Sequence, residues 1–441
     1  MLAYTLMQSM LAPALLAIQH DVHTTTTAVS WLLTGYLLMA SVAAPILSRF
    51  GDLFGKRLLI VSVLGCFFAG TLVCALGASI EQLLVGRVMQ GAAGALLPLA
   101  VGIIRDEFPT PRIVAGVAIL SGVVGTGASL GFVLAGPITD HLSYHWLFWI
   151  PLVPIGVAAV ACLLVVPESP RRDRVPIDWL GALLLAAWLV AMLLGVSQAS
   201  EWGWGSERVV GLFVLGGVLF AVWAAVEARV SHPLVDMEIL RRRGVWTSNG
   251  TSFLISYALF TSFVLVPQLA EAPSSTGYGF GSSVTGGALL LVPLTLAMLG
   301  MSVVAGRLVP RHGPKRFIVA GAFVSACALA ALTLAHATPW QVALASGLLG
   351  LGLGSAHSSV ANQVIAWVPQ THTSGAMGMN SIVRFAGAAF GAQVSAAVLA
   401  TTVTAVFPTE RGFELAFAIA AGAAATGAAV ASLAPSRGGR Y

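Results

Sequence analysis

The sequence predicts an all-α integral membrane protein of fourteen transmembrane helices, and three observations lead there. Of its 441 residues, 57% are hydrophobic and only 9% are charged, with a mean hydropathy of +0.90. Soluble domains carry about 25% charged residues, so water cannot be the main solvent of this surface. Apolar segments of the length that crosses a bilayer, about twenty residues, recur from end to end. The connections between them alternate between basic and almost uncharged.

The expected spans are 1–19, 29–48, 58–78, 82–104, 113–136, 146–167, 178–198, 209–228, 245–269, 284–308, 317–336, 340–362, 375–403 and 413–434. Backbone N–H and C=O groups have no water to bind in lipid, so each span is helical. The runs are long and do not alternate, which excludes outer-membrane strands. The first span begins at residue 1 with no charged segment before it, so it does not read as a cleaved signal peptide.

Taking the even-to-odd connections as cytoplasmic, they and the C-terminal tail hold 18 of the 22 Lys and Arg. The opposite connections hold Arg208 and Arg411, and Arg87 and Arg384 fall inside spans. This asymmetry follows the positive-inside rule and places both termini in the cytoplasm. It also removes nucleic acid as a partner, because the positive charge forms no single face. Cys66, Cys74, Cys162 and Cys327 lie in apolar stretches without metal-like spacing and read as packing residues.

An internal repeat is visible. Ser48 to Arg57 follows span 2, and Gly306 to Arg316 follows span 10; aligned on Gly55 and Gly313, both place basic residues just after a glycine. Two related halves with the substrate path between them are a common transporter architecture. The chain therefore divides into a six-helix bundle over 1–167, two extra helices and a cytoplasmic loop over 168–243, and a second, pseudo-symmetric six-helix bundle over 244–441.

At these residues the chain resembles the major facilitator superfamily. Asp52, Gly55, Lys56 and Arg57 match its hallmark loop G-x-L-x-D-r-x-G-r-K, while Ser48 and Phe50 depart from it. Arg87-Val88-Met89-Gln90-Gly91 is similar to its R-x-x-Q-G motif. Gly127 to Pro137 is similar to its glycine-rich antiporter motif, with Phe132 in place of proline and Ala135 in place of glycine. Ile177-Asp178-Trp179-Leu180-Gly181, His232-Pro233-Leu234-Val235-Asp236 and Gly375 to Arg384 point to the fourteen-span drug:proton antiporter branch. The resemblance implies a small-molecule substrate, protons as the coupling ion, and a central cavity lined by spans 1, 4, 9 and 12. It implies that Asp52, Gly55, Lys56 and Arg57 form a gating loop, with Arg112 and the start of span 13 near Ser374 and Gly375 as partners.

The candidate site residues are polar or aromatic groups inside spans. A charge at a helix centre costs about 2.5–3.5 kcal/mol on insertion scales, so Arg87 faces the protein interior or a wet cavity. Gln90 shares its face at i+3. Arg384 has Asn380 at i−4, and either a functional or a packing role fits that pair. Span 12 offers His357 and Asn362. Span 9 carries Phe253, Tyr257 and Phe260 at i, i+4, i+7, either a cavity wall suited to planar apolar drugs or a packing stripe. Tyr36 and Gln8 complete the set.

No carboxylate lies near the centre of a span, and span 1, where this branch commonly has an acid, reads Ala3-Tyr4-Thr5. The candidate proton carriers are therefore His357, Asp21 and Asp140. Gly127-Ala128-Ser129-Leu130-Gly131 formally matches G-x-S-x-G, but an apolar helix is not the strand-to-helix elbow that a nucleophile needs. No H-E-x-x-H, G-K-[ST] loop or metal-ligand cluster is present, so neither an enzyme nor a cofactor is expected. The resulting expectation is a monomeric bacterial cytoplasmic-membrane exporter of hydrophobic drugs or antibiotics driven by proton influx. The alternative is a facilitator or uptake carrier of a small polar metabolite.

Overall fold

The computed structural model describes residues 1–109, 120, 123, 127, 130–167, 178–231, 233, 237–368, 373–404 and 407–435, without the side chains at 49, 52, 105, 106, 200, 310, 365, 373–375 and 404. Arg112, Ser129, most of span 5, and the His232 to Asp236 motif apart from Pro233 lie outside the described residues, as do the side chains of Asp52, Ser374 and Gly375.

The chain begins with α1 (Leu2–Leu11) and α2 (Leu15–Asp21). Then come α3 (Thr26–Phe54), α4 (Lys56–Leu76), α5 (Ile80–Gln90), a 3-10 turn at Gly91–Ala95, and α6 (Leu96–Glu107). Residues 130–141 form α7, followed by α8 (Trp146–Val165), α9 (Trp179–Trp202) and α10 (Glu207–Glu227). The short α11 (Met237–Arg241) leads to α12 (Arg243–Glu271), α13 (Val284–Leu289) and α14 (Val292–His312). The last helices are α15 (Pro314–Leu334), α16 (Pro339–Ala366), α17 (Thr373–Thr401) and α18 (Glu410–Ser432). A two-residue hairpin pairs Val403–Thr404 with Phe407–Pro408.

Among the described residues, eleven helices are long and apolar enough to cross a membrane, or twelve if α1 and α2 count as one bent span. The expectation was fourteen, and three places account for the difference. Span 1 is broken: α1 and α2 meet at 65°. Pro13 sits in the break, where it has no N–H to continue the helix and its ring opposes the carbonyl four residues back. Span 5 is described only at its end, as α7. Span 12 forms α16, a 28-residue helix in which glycine, serine, His357 and Asn362 dilute the apolar surface.

Burial separates central from peripheral helices. The most apolar stretches of α3, α12 and α17 are 78%, 83% and 78% buried, against 17% for α10 and 22% for α8. Val153, Val157, Leu164, Val214 and Val218 are exposed. In water such a surface would be an adhesive patch; in lipid it costs nothing. α3 packs on α17 and α9, α9 on α10, α12 on α17 and α18, and α14 and α15 on α16. Trp31 Nε1 donates to Ser197 Oγ at 2.8 Å, joining α3 to α9. Asp178 caps α9 by accepting the Gly181 N–H at 2.7 Å, which explains the acid in the Ile177 to Gly181 motif.

Chain direction alternates through the bundle. One end gathers Lys56, Arg57, Arg241 to Arg243, Lys315 and Arg316, and is called the basic end here; the opposite end is the far end. At the basic end Gly55, between α3 and α4, has φ 104°, and Gly313, between α14 and α15, has φ 82°. Each N–H reaches the carbonyl four residues back, Gly51 at 3.1 Å and Val309 at 2.9 Å. Glycine alone takes such φ values without steric cost. The two loops that align in sequence share one backbone device.

Candidate functional site

The centre of the bundle is built around Arg87, which is 0% exposed. Its Nε donates to the Leu32 carbonyl on α3 at 2.8 Å, and its Nη1 donates to Gln90 Oε1 at 2.6 Å. Gln90 Nε2 passes the chain on to Thr71 Oγ1 of α4 at 2.9 Å. The guanidinium carbon lies 4.5 Å from the centre of the Tyr36 ring. Desolvated cation–π contacts are worth about 2 kcal/mol, and hydrogen bonds to a charge about 1.5–3 kcal/mol. Together these offset the cost of holding the charge in the membrane. Arg87 Nη2 has no hydrogen-bond partner. Tyr4 stands beside this network, its ring 6.4 Å from both Tyr36 and Phe67.

Arg384 on α17 approaches from the other side. It is half-buried, with its guanidinium carbon 5.5 Å from the Phe385 ring. It is within electrostatic range of Tyr4, Tyr36 and His357. His357 Nε2 is buried without a partner. Arg87, Tyr36, His357 and Arg384 are therefore gathered at one centre. Tyr4, Phe67 and Thr71 join them without having been singled out in the sequence.

The other expected site residues are placed differently. Asn380 donates to Asn249 Oδ1 at 2.8 Å and Ser252 Oγ at 2.9 Å, tying α17 to α12. Tyr257 and Phe260 are buried, and Phe253 meets Phe390 of α17 at 5.8 Å. Asn362 is exposed and bonds back to the Ser358 carbonyl at 3.0 Å. Gln8 is half-buried on α1. Asp21 is exposed beside His20, 3.7 Å away. In the basic-end loop Lys56 is buried against Gly102, and Arg57 bonds the Leu163 carbonyl of α8.

At the far end α3 and α7 are tied to α12, α13 and α17. Ser30 and Thr34 of α3 donate to Gln393 Oε1 of α17 at 3.1 and 3.0 Å. Phe132 of α7 lies edge-on to Phe263 of α12 at 4.8 Å. Asp140, one residue before the end of α7, accepts the Val284 and Thr285 N–H groups at 3.0 and 3.1 Å, and the Thr285 hydroxyl at 2.5 Å. Gly136 lies against the same backbone; a Cβ there would stand 2.1 Å from Thr285 Cα.

Asp140 lies past the expected end of its span. Partial burial alone would push its carboxyl up, but hydrogen bonds from Thr285, Ser283 and the Thr285 and Val284 backbone hold it below the ordinary carboxylate value. A depressed acid contributes fully above its ordinary value, about 3.9, and loses its contribution as pH falls through the depressed one. Asp140 itself is thus expected to stay ionised between about pH 5 and 8. Asp140→Asn is expected to loosen these far-end contacts across that pH range. The measurement is maleimide labelling of Ser30→Cys in a background lacking the four native cysteines, which should speed up severalfold; an unchanged rate would remove Asp140 from the seal.

A membrane-embedded helical bundle with a buried polar centre is an architecture that solute transporters use. The chain belongs to the Major Facilitator Superfamily, whose sequence profile matches residues 1–235 and 248–438. It is therefore a multi-pass membrane transporter for small molecules, of a family of transporters rather than enzymes. It is 29% identical over 404 residues to the tetracenomycin C resistance and export protein of Streptomyces glaucescens, covering 89% of this chain and 72% of that one. It is 32% identical to the lincomycin resistance protein of Streptomyces lincolnensis, over 70% of this chain and 63% of the relative. It is 30% identical to the multidrug resistance protein B homolog of Mycobacterium tuberculosis (strain H37Rv), over 76% and 62%. The chain thus spans less than two thirds of the length of the last two. Among solved structures, a peptide transporter POT in complex with alafosfalin matches 99% of this chain and 93% of its own with a TM-score of 0.72 at 15% identity. The human organic anion transporter MFSD10 matches with a TM-score of 0.63, also at 15% identity, over 98% of this chain and 97% of that one. These likenesses establish the fold.

Proposed function

We propose that this protein exports hydrophobic drugs or antibiotics across a bacterial cytoplasmic membrane by alternating access, in the fourteen-span drug:proton antiporter branch. The observation that carries the reading is the cationic and aromatic centre, Arg87 with Tyr4, Tyr36 and Phe67 on one side and Arg384 with His357 on the other. Its groups come from residues 1–167 and 244–441, which act as the two rocking halves, with 168–243 as the linker. Relatives named for tetracenomycin C export and for lincomycin and multidrug resistance support the same substrate class. The basic end faces the cytoplasm by the positive-inside rule, with both termini on that side. With the far end sealed, substrate enters this state from the cytoplasm. The protein works as a monomer.

Proton influx supplies the driving force, and one charge crossing 100 mV releases about 2.3 kcal/mol. Of the candidate carriers, His357 lies at the centre, Asp140 is engaged in the far-end seal and Asp21 is exposed. Expression in a drug-sensitive host is expected to raise resistance to lincomycin or tetracenomycin C and lower accumulation, both reversed by a protonophore. Unchanged accumulation of every drug tested would overturn the export reading.

A further inference from the structure

At the far end, away from the central site, His336, Glu410 and Glu414 form a cluster that the transport reading does not use. Their ligand atoms lie within 4.8 Å of one another. His336 follows the end of α15; the two glutamates open α18, one turn apart at i and i+4, so their carboxylates share a face. His336 is 5% exposed. Its Nδ1 lies 2.8 Å from the Leu332 carbonyl, a group that only accepts, so Nδ1 carries the proton. A neutral imidazole held in that tautomer turns the Nε2 lone pair outward, the arrangement by which a backbone carbonyl orients a metal-binding histidine. Nε2 is buried, has no hydrogen-bond partner, and faces Glu410 Oε1 at 3.3 Å.

A lone pair facing two carboxylates repels both, and two carboxylates at i and i+4 repel each other. One cation between the three groups removes all three conflicts. We propose that His336, Glu410 and Glu414 bind a divalent transition-metal ion of the zinc class. An imidazole nitrogen with two carboxylate oxygens suits zinc, nickel or cobalt, whereas magnesium and calcium select oxygen-only sites. Ligands bound at about 2.1 Å stand about 3–4 Å apart, so a small rotation of the exposed Glu410 closes the site and leaves positions for water. The ion ties the turn after α15 to the start of α18, two helices that already pack together. It fixes the far mouth of the C-terminal part, beside the hairpin whose Pro408 carbonyl accepts a hydrogen bond from the Tyr278 hydroxyl.

The test uses the full chain, purified in detergent and stripped of metal. Zinc is titrated against a chromogenic chelator, and thermal unfolding is followed with zinc, magnesium and calcium. The expected result is one zinc per chain with micromolar affinity and a raised unfolding midpoint with zinc alone. Glu414→Gln, on a partly exposed side chain and expected to fold normally, should weaken binding by about tenfold or more, and His336→Gln should abolish it. His20→Asn, at an exposed histidine elsewhere, should leave it unchanged. Cobalt should give visible d–d absorption in the wild type and none in His336→Gln. Absence of stoichiometric zinc binding, or zinc binding that survives Glu414→Gln unchanged, would mean that His336 is protonated and simply ion-paired with Glu410, and would overturn the proposal.

Discussion

Replacing Arg87 with alanine is expected to cut drug export about tenfold or more, a barrier change of at least ~1.4 kcal/mol, while the protein still inserts and folds. Two opposing magnitudes lead to that split. The substitution loses two hydrogen bonds to a charge, each worth about 1.5–3 kcal/mol, and leaves Gln90 Oε1 without a donor. It also removes a charge whose insertion costs about 2.5–3.5 kcal/mol. The relieved insertion cost offsets part of what is lost, whereas the cationic–aromatic contact at Tyr36 is lost outright. Arg87→Lys keeps the charge but has a single ammonium in place of the fork that reaches both Leu32 and Gln90, so it is expected to restore little. Initial rates of drug counterflow in proteoliposomes, normalised to reconstituted protein, measure both variants. A wild-type rate in Arg87→Ala would remove this residue from the site.

The second large effect is expected at the far end. Gly136→Ala places a methyl group 2.1 Å from Thr285 Cα and 2.7 Å from its nitrogen. Backbone atoms cannot step aside as a flexible side chain does, so α7 and the start of α13 must separate. The sealed state is then excluded while the state open at the far end is untouched. Transport, which needs both, is expected to fall about tenfold or more. Ser30→Cys labelling should become fast from the far side, even though the thermal unfolding midpoint moves little. Gly300→Ala, where nothing lies within 4 Å of the added carbon, is the matched control and should transport normally. Wild-type transport in Gly136→Ala would show that this closure is not part of the cycle.

The sequence made Arg87 legible because a charge in an apolar run has few allowed surroundings. Its partners were not legible in the same way. Leu32 contributes a backbone carbonyl, and Thr71 and Tyr4 are ordinary residues of an apolar helix, so nothing in composition or spacing marks them. The aromatic spacing of Phe253, Tyr257 and Phe260 is real, but spacing does not reveal what a helix face meets. The backbone along that stripe lies against Gly387 and Gly391 of α17, where an added Cβ would stand 2.2 and 2.3 Å from the Phe253 and Tyr257 carbonyls. Asp140 read as a proton carrier because it was an acid near a span end; its bonding to Val284 and Thr285 depends on a tertiary approach no local pattern encodes. The break in span 1 had a visible signal in Pro13, outweighed by the apolar run around it. Phe132, a departure from the family motif, fills a contact with Phe263 at the seal.

The most direct measurement of the central claim labels two single-cysteine proteins from both faces of the membrane with an impermeant maleimide. One carries Ser30→Cys at the far end; the other carries Gly378→Cys, half-buried with nothing within 4 Å of the added carbon, toward the basic end of α17. At rest, the Gly378→Cys protein should label from the cytoplasm while Ser30→Cys is protected, and drug with an inward proton gradient should reverse the two. Labelling rates that ignore both drug and gradient, or that rise together, would contradict a centre open to one side at a time.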